Sequence, residues 1–444
     1  MKKTKRVLLA APLLLGMSAP LSAETLEGAL AQTLARNPGL AAARYNYEAN
    51  YKSQFVTLAD MLPQVNAFMT QTRSDTKAEN YRSGDRLPDG TSFGDLDTDS
   101  YGVQVTQQLF TSGKNLNAFR SKRADILAEK SKLVDSEQQI LLGAISAYMD
   151  VLENETIVEL RRKNVDVLTE QLDSVKDRFE VGVVTRTDIA QSQAALSGSR
   201  AALLAAEAGL RAAHAGYREL VGIEAKDLQK PEKLPRLPRT LDRALSIARK
   251  ESPSLKIAQA QAEAGRLTTL STLGGALPSV NLTGTYAKTE DPSIAARGTE
   301  VESTSVAVTL NVPLFRGGRS IAAVTGGLDY NNALRENVHV ASNQLDRETI
   351  IAWHNVTTTK SALVATKEQI IAAELALEGV RQENKLGTRT NLNVLDAEQA
   401  LLDARVDLAN AERNLYVASY NLLATIGRLT AKRLRIEPAV VKDN

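Results

Sequence analysis

The chain has 444 residues, with 54 lysines and arginines, 52 aspartates and glutamates, and no cysteine. The lack of cysteine excludes disulfides, thiolate metal sites, a cysteine nucleophile and the acylated N-terminal cysteine of a bacterial lipoprotein. Hydrophobic residues make up 43% of the chain but aromatic residues only 4%. This balance is ordinary for long helices built from alanine and leucine and thin for a compact enzyme core.

Residues 1–23 are predicted to be a secretory signal peptide. Four basic residues precede an apolar run at 7–15, which is too short to span a bilayer, and Ala23 is the last residue before the expected cut. Cleavage removes four positive charges, so the formal charge changes from +2 to +2 − 4 = −2. The mature chain therefore has no strong global charge that would favour nucleic-acid binding.

The chain contains an internal repeat. Thr-Leu-x-x-Ala-Leu at 25–30 corresponds to Thr-Leu-x-x-Ala-Leu at 240–245, a shift of 215 residues (240 − 25), and later matches such as Gly182 with Gly387 have a shift of 205 (387 − 182). The first copy thus has ten extra residues (215 − 205), which fall in 73–99, a stretch whose Asp, Gly, Ser and Pro content predicts a surface loop. We expect two structural repeats, residues 24–230 and 231–444.

Each repeat is predicted to begin with two short helices and to continue into two strands whose residues alternate in polarity. The strands are expected at about 63–76 and 100–110, and at about 278–289 and 302–314. A long helix without proline follows in each copy, at about 115–180 and 319–386. Each of these helices would be roughly 100 Å long.

The final helix of each repeat, at about 187–221 and 390–426, has large residues alternating with small ones on a seven-residue repeat. This pattern predicts coiled-coil packing. Three prolines at 231, 235 and 238 interrupt the return path of the first repeat. We expect this break to lie about halfway along the rod that the long helix forms.

Four strands are too few to close a barrel, and open sheet edges are not tolerated in lipid. If the strands lie in a membrane, several chains must therefore contribute to one barrel. The long helices would then form a shared cylinder below it.

The duplicated Thr-Leu-x-x-Ala-Leu and Leu-Pro-x-Val segments, the paired strands and the Gly-Thr-Arg-Thr turn at 387–390 together resemble the TolC family of outer-membrane channels. The resemblance covers essentially all of the mature chain. It implies an α+β membrane protein, a homotrimer whose twelve-stranded outer-membrane β-barrel, with four strands per chain, continues into a long periplasmic α-helical coiled-coil barrel.

The same resemblance implies a passive exit duct for drugs, for proteins in type I secretion, or for both. Its expected partners are a periplasmic adaptor (membrane fusion) protein, an inner-membrane RND or ABC-type transporter and outer-membrane lipid. No cofactor, nucleic acid or catalytic activity is expected.

The resemblance also places candidate sites at the turns that follow the two long helices. The residues matching the adaptor-binding tip are Val181, Gly182, Val183, Leu386, Gly387 and Thr388. The residues matching the periplasmic gate are Thr187, Asp188, Arg389, Asn393 and Asp396. In the family, the arginine of this gate hydrogen-bonds the Thr-Asp pair of the other tip.

Simpler local roles are expected at the same positions. Gly182 and Gly387 would end helices, Thr187 and Thr390 would be N-caps, and Asp188 would be a first-turn acid. Asp396 matches one of two ring carboxylates in some relatives, or is a solvated surface acid. Asn393 stands at the other ring position and Asn384 replaces a nearby tyrosine, so a trimer would carry half the ring charge.

A trimeric coiled-coil adhesin with a structural role is the main alternative, but it would need one continuous stalk and a C-terminal anchor. A porin would need many more strands per chain. An enzyme would need a catalytic constellation, which the sequence does not contain. Asp95-x-Asp97-x-Asp99 departs from an EF-hand because Ser100 and Thr106 stand where glycine and glutamate are required.

Overall fold

The computed structural model describes residues 24–77, 81–82, 85–86, 92–293 and 296–437. The predicted signal peptide lies outside these residues. The helices of the first half are α1 (Leu26–Arg36), α2 (Pro38–Ala59), α3 (Lys114–Glu180) and α4 (Arg186–Val221). Those of the second half are α5 (Leu241–Glu251), α6 (Pro253–Gly274), α7 (Arg319–Lys385), α8 (Asn391–Thr425) and the short α9 (Ala431–Leu434). The strands are β1 (Gln64–Lys77), β2 (Tyr81–Arg82), β3 (Asp85–Arg86), β4 (Ser92–Phe110), β5 (Ser279–Glu290) and β6 (Glu300–Asn311).

The two halves have matching helices in the same order. α1 and α5 both have 11 residues, α2 and α6 have 22, and α3 and α7 have 67. The helix starts use the same chemistry, since the hydroxyl oxygens of Thr25 and Thr240 each accept a backbone N–H three residues later. Pro38 and Pro253 then occupy the first turn of the next helix, where no amide hydrogen is needed.

Four strands form one antiparallel sheet in the order β1–β4–β5–β6. Within this sheet, β4 pairs with β5 and thereby joins the first half of the chain to the second. β1 and β6 each have one unpaired edge among the described residues, so the single chain has an open sheet. The short strands β2 and β3 form a separate pair.

The surface loop predicted over residues 73–99 overlaps the strand predicted at about 63–76, and the structure has strand at both ends of this stretch. β1 continues to Lys77 and β4 already begins at Ser92, with Arg73 opposite Asp97. The guanidinium of Arg73 also forms an ion pair with Asp95 at 2.7 Å, which stabilises this extension of the hairpin. Opposite charges on paired strands outweigh the weak strand propensity of Asp and Gly here.

The largest apolar core lies near the middle of α3, where the shorter helices pack around it. Its most buried members include Leu141, Tyr148, Tyr217 and Leu422. α4 ends beside this core, and Gly222 adopts a left-handed φ of 84° as its C-cap. The interruption of the return path therefore lies about halfway along α3, as the prolines predict.

Tyr148 connects this core to two chain segments outside the helices. Its hydroxyl is within hydrogen-bond distance of the carbonyl oxygens of Glu24, at 2.8 Å, and Gln229, at 2.6 Å. The backbone N–H of Gln229 also donates to the Glu24 carbonyl at 3.0 Å. Burial raises the pKa of Tyr148 well above its ordinary value, so the hydroxyl remains a donor.

We expect Tyr148→Phe to destabilise the protein by about 0.5–1.5 kcal/mol, because the Gln229 carbonyl oxygen loses a hydrogen-bond donor. Thermal unfolding followed by helical circular dichroism measures this loss. The matched control is Tyr45→Phe, since the Tyr45 side chain is exposed on α2. Equal melting temperatures for the two variants would contradict this role of Tyr148.

Candidate functional site

The candidate site consists of the two turns that join α3 to α4 and α7 to α8. Gly182 and Gly387 have φ values of 78° and 79°, in the left-handed region that favours glycine. In both turns the following amide bonds back to the helix, from Val183 to the Arg178 carbonyl and from Thr388 to the Glu383 carbonyl. The helix-ending role predicted for both glycines is thus confirmed.

The residues predicted to bind an adaptor form an exposed surface at these turns. Val181 is 74% exposed, Val183 62% and Leu386 80%. Gly182, Gly387 and Thr388 are exposed as well. Each turn therefore carries large apolar side chains that no other described residue of the single chain covers.

The prediction of Thr187 as an N-cap is wrong, because Thr185 caps α4. The Thr185 hydroxyl oxygen accepts the Asp188 N–H at 3.3 Å, and the Asp188 carboxylate accepts the Thr185 N–H at 2.8 Å. Thr187 lies two residues beyond the cap, as the second residue of α4, and is exposed. The constant shift of 205 residues explains the error, since Thr390 corresponds to Thr185 (390 − 205).

The second turn repeats this arrangement with neutral residues. Thr390 caps α8, as predicted, and the side-chain oxygen of Asn393 accepts the Thr390 N–H at 3.2 Å. Asn393 is therefore the counterpart of Asp188 (393 − 205). Hydrogen bonds from the backbone and hydroxyl of Thr185 hold the pKa of Asp188 below its ordinary value.

Arg389 contacts its own turn within the single chain. Its Nε donates to the Glu383 carboxylate at 2.8 Å, and its carbonyl accepts a hydrogen bond from the Asn384 side chain. Asp188 is meanwhile engaged by Thr185, so the expected bond from Arg389 to the Thr187–Asp188 pair does not form within one chain. Such a bond between chains remains a prediction.

A buried polar contact that the sequence did not reveal joins the two helical hairpins near the turns. Asn391, the first residue of α8, donates to the Ser192 hydroxyl at 2.9 Å and accepts from the Gln171 amide at 3.0 Å. Asn391 is 6% exposed and Ser192 1%. We call these three residues the hairpin clamp.

The hairpin clamp lies beside a small apolar cluster. This cluster consists of Leu168, Leu172, Leu196 and Leu395. One signal for the clamp was available, because Ser192 occupies a small position of the heptad pattern where the second copy has Ala397. The partner of Ser192 depends on how the two hairpins cross, and the heptad pattern gives no information about that crossing.

Asp396 is exposed and lines a groove of about 540 Å³ between the α3–α4 hairpin and α8. Arg161 and Glu398 line the same groove. Its predicted place in a charged ring concerns several chains and remains a prediction.

The family model described as "Outer membrane efflux protein" matches residues 29–222 and 244–428. The chain belongs to this family. Its members include the TolC channels, so the resemblance to the TolC family is confirmed. The family model matches each half of the chain separately, in agreement with the internal repeat.

Three curated relatives each match most of this chain. The outer membrane efflux protein BepC of Brucella suis is 30% identical, covering 98% of this chain and 92% of BepC. The outer membrane protein TolC of Vibrio cholerae is 25% identical, over 93% of each chain. The alkaline protease secretion protein AprF of Pseudomonas aeruginosa is 25% identical, covering 78% of this chain and 73% of AprF.

The fold of this chain is also that of solved outer-membrane channels. The CmeC outer membrane channel of Campylobacter jejuni superposes with a TM-score of 0.77 at 14% identity, covering 99% of this chain and 96% of CmeC. This similarity extends to the helices and the sheet together.

Among the described residues of this chain, no helix is long and apolar enough to cross a membrane. The same residues contain no group of three or more His, Asp or Glu side chains placed to hold a metal ion. The acidic stretch at 95–99 is instead partly neutralised by Arg73, whose Nη2 lies 2.7 Å from the Asp95 carboxylate.

We expect Thr185→Ala to loosen the start of α4, because loss of an N-cap costs about 0.5–2 kcal/mol. Hydrogen exchange of backbone amides over residues 185–192 should become faster. Thr187→Ala is the matched control, since its exposed side chain does not cap the helix. Faster exchange in both variants, or in Thr187→Ala alone, would contradict the assignment of the cap.

The capping bond should also depend on pH. The pKa of Asp188 is lower in the folded chain than its ordinary value of 3.8, so its contribution is present above that pH and is lost as the pH falls through the folded pKa. Asn393 does not titrate, so the protection of amides over residues 390–397, relative to their intrinsic exchange rate at each pH, should not change in that range.

Proposed function

We propose that this protein is an outer-membrane exit duct that works as a homotrimer. Three four-stranded sheets would close a twelve-stranded barrel, and the long helices of three chains would form a tunnel across the periplasm. The duct is passive, so the energy for export comes from an inner-membrane transporter of RND or ABC type that a periplasmic adaptor connects to the tip.

The observation that carries this proposal is the distribution of polarity across the sheet. The register aligns Val65, Val105, Gly284 and Val306 in one row, on one face. The next row, on the opposite face, consists of Asn66, Gln104, Thr285 and Ser305. An apolar face backed by a polar one suits a sheet with lipid on one side and water on the other.

Strand length supports the same placement. β5 and β6 each have 12 residues. A tilted strand needs roughly nine to eleven residues to cross the hydrocarbon core. The valines of β6 in this face are largely exposed in the single chain, at 74% for Val306 and 65% for Val308. Lipid contact would remove this apolar surface from water.

Exposed apolar residues on the outermost helices support self-association. α2 and α7 lie at the two ends of the helix layer, next to β1 and β6. Large exposed side chains on α2 and on the part of α7 nearest the sheet include Tyr45, Val56, Ile321 and Tyr330. Association of α2 of one copy with α7 of the next would cover them while the sheet edges pair.

Native mass spectrometry in detergent tests the assembly. We expect a trimer and no stable monomer, because assembly would pair the open sheet edges and cover the exposed end helices at the same time. Recovery of a monomer from membranes, or of the protein in the soluble periplasmic fraction, would reject the proposal.

Drug export and type I protein secretion are both candidate tasks for the duct. The similarity to BepC favours efflux, and the similarity to AprF favours protein secretion. Deletion of the gene should lower the inhibitory concentrations of exported drugs if efflux dominates. A loss of secreted protein from the medium, with unchanged drug tolerance, would favour secretion instead.

We propose that the two turns form the periplasmic gate and that the hairpin clamp restrains it. Outward movement of the α7–α8 hairpin would break the hydrogen bonds of Asn391 to Gln171 and Ser192. Asn391→Ala should therefore raise single-channel conductance in planar bilayers. Gln399→Ala is the control, because Gln399 lies on the exposed side of α8 and its side-chain amide donates to Asp403 of the same helix. Unchanged conductance in Asn391→Ala would exclude the clamp from gating.

A pair of variants separates the two roles open to Arg389. Arg389→Ser should raise conductance if the arginine restrains the gate. Glu383→Gln removes only the ion pair within the turn, whose length is 2.8 Å. Equal increases would mean that this local pair restrains the gate. An increase in Arg389→Ser alone would support a bond to Thr187 and Asp188 of a neighbouring chain, and no increase would exclude Arg389 from the gate.

A further inference from the structure

A groove of about 720 Å³ lies between α2, α3 and α6, at the end of these helices that adjoins the sheet. Its lining combines aromatic and aliphatic side chains with several basic ones. The apolar part includes Tyr47, Tyr51, Phe119 and Leu127. The basic part includes Arg120, Arg123, Lys130 and Arg266.

The basic side chains of α3 in this groove have no acidic partner. Among the described residues, no carboxylate forms an ion pair with Arg120, Arg123 or Lys130, whereas Arg266 is paired with Glu263 at 2.6 Å. The Glu263 charge is thereby compensated within α6. The groove therefore presents about three uncompensated positive charges over an apolar floor.

The start of α3 determines how far these basic side chains lie from the sheet. α3 begins at Lys114, close after the end of β4 at Phe110. At 1.5 Å per residue, Arg120 lies roughly 9 Å and Arg123 roughly 14 Å from that start. A guanidinium on its long side chain can reach several ångströms further towards the sheet.

The groove lies on the face of α3 that also carries the core. Positions 120, 127, 134, 141 and 148 are seven residues apart, so they follow one side of α3 with a drift of roughly 20° per heptad on an ideal helix. Tyr148 on this face contacts the Glu24 and Gln229 segments. If the helices enclose a tunnel, these connecting segments must lie outside it, and so must the groove.

We propose that this groove binds an anionic glycerophospholipid from the inner leaflet of the outer membrane. The inference rests on the proposed placement of the sheet in that membrane. The phosphate would be held by Arg120 and Arg123, whose guanidinium groups bind phosphate through paired hydrogen bonds. Lys130 would contribute charge at the lower end of the groove.

The aromatic residues of α2 fit the same ligand. The rings of Tyr47 and Tyr51 have centroids 6.3 Å apart, and Tyr51 and Phe55 have the same spacing. They form a row that runs along α2 towards β1. Tyrosine is enriched at the level of lipid headgroups, where the ring meets apolar chains and the hydroxyl meets water. A free phosphate ion would use the arginines and leave this apolar row unused.

Native mass spectrometry of the full assembled protein in detergent tests the proposal, with dioleoylphosphatidylglycerol and dioleoylphosphatidylcholine as probes. We expect the anionic lipid to bind in clear preference to the zwitterionic one. Arg120→Gln with Arg123→Gln should lower the bound fraction of the anionic lipid at least about tenfold.

The control is Lys122→Gln with Lys132→Gln, which also removes two positive charges from α3 but outside the groove lining, at roughly 12 Å and 27 Å from the helix start. It should keep lipid binding within about twofold of the unmodified chain. Equal binding of the two lipids, or equal losses in both double variants, would overturn the proposal. Full displacement of the lipid by inorganic phosphate would replace it with a simple anion site.

A second measurement covers the case in which the double variant fails to assemble. A photoactivatable phosphatidylglycerol should label peptides from residues 119–130 of the unmodified protein, and labelling of other helices alone would overturn the proposal. Conductance in planar bilayers is measured on the same preparations. A conducting trimer without lipid preference would refute this inference and leave the proposed function standing.

Discussion

The open edges of the four-stranded sheet are the constraint on which the rest of this structure depends. The strands are ordered β1–β4–β5–β6, so β1 and β6 each lack a partner on one side within the described chain. Each strand adjoins one helix in sequence: α2 leads into β1, β4 into α3, α6 into β5 and β6 into α7. The helix layer therefore has its ends at α2 and α7. The edge strand β1 is joined to the end helix α2, and the edge strand β6 to the end helix α7. A partner that pairs with one edge of the sheet therefore also covers an end of the helix layer.

The turns at the far end combine two kinds of interaction with different consequences. The caps formed by Thr185 with Asp188 and by Thr390 with Asn393 are local. They stabilise the starts of α4 and α8 even if the two hairpins move relative to each other. The contact of Asn391 with Ser192 and Gln171 instead connects separate hairpins. A buried polar contact is costly to leave unpaired, so it favours one relative position of the hairpins and disfavours intermediate ones.

In the proposed placement, the apolar face of the sheet and the basic groove beneath it lie on opposite sides of the boundary between the hydrocarbon core and the lipid phosphates. The sheet presents valines such as Val306 and Val308 to the surroundings, while Arg120 and Arg123 follow within the first turns of α3. Apolar side chains suit the hydrocarbon core, and basic ones suit the phosphate level just beyond it. The change in chemistry over so short a distance fits a chain that is fixed at one depth in a bilayer.

The sequence by itself determined the element order, the two 67-residue helices, the heptad seam and the glycines that end α3 and α7. These features depend on local periodicity and on backbone conformation, which neighbouring residues set. It misplaced the cap at Thr187 and predicted a loop over residues 92–99, where β4 already pairs with β1, because both depend on which partner is nearby. Only the tertiary structure decided the contacts of Asn391, the ion pair of Arg389 with Glu383 and the groove beside Arg120, since each joins residues whose proximity arises from how helices pack and turns close.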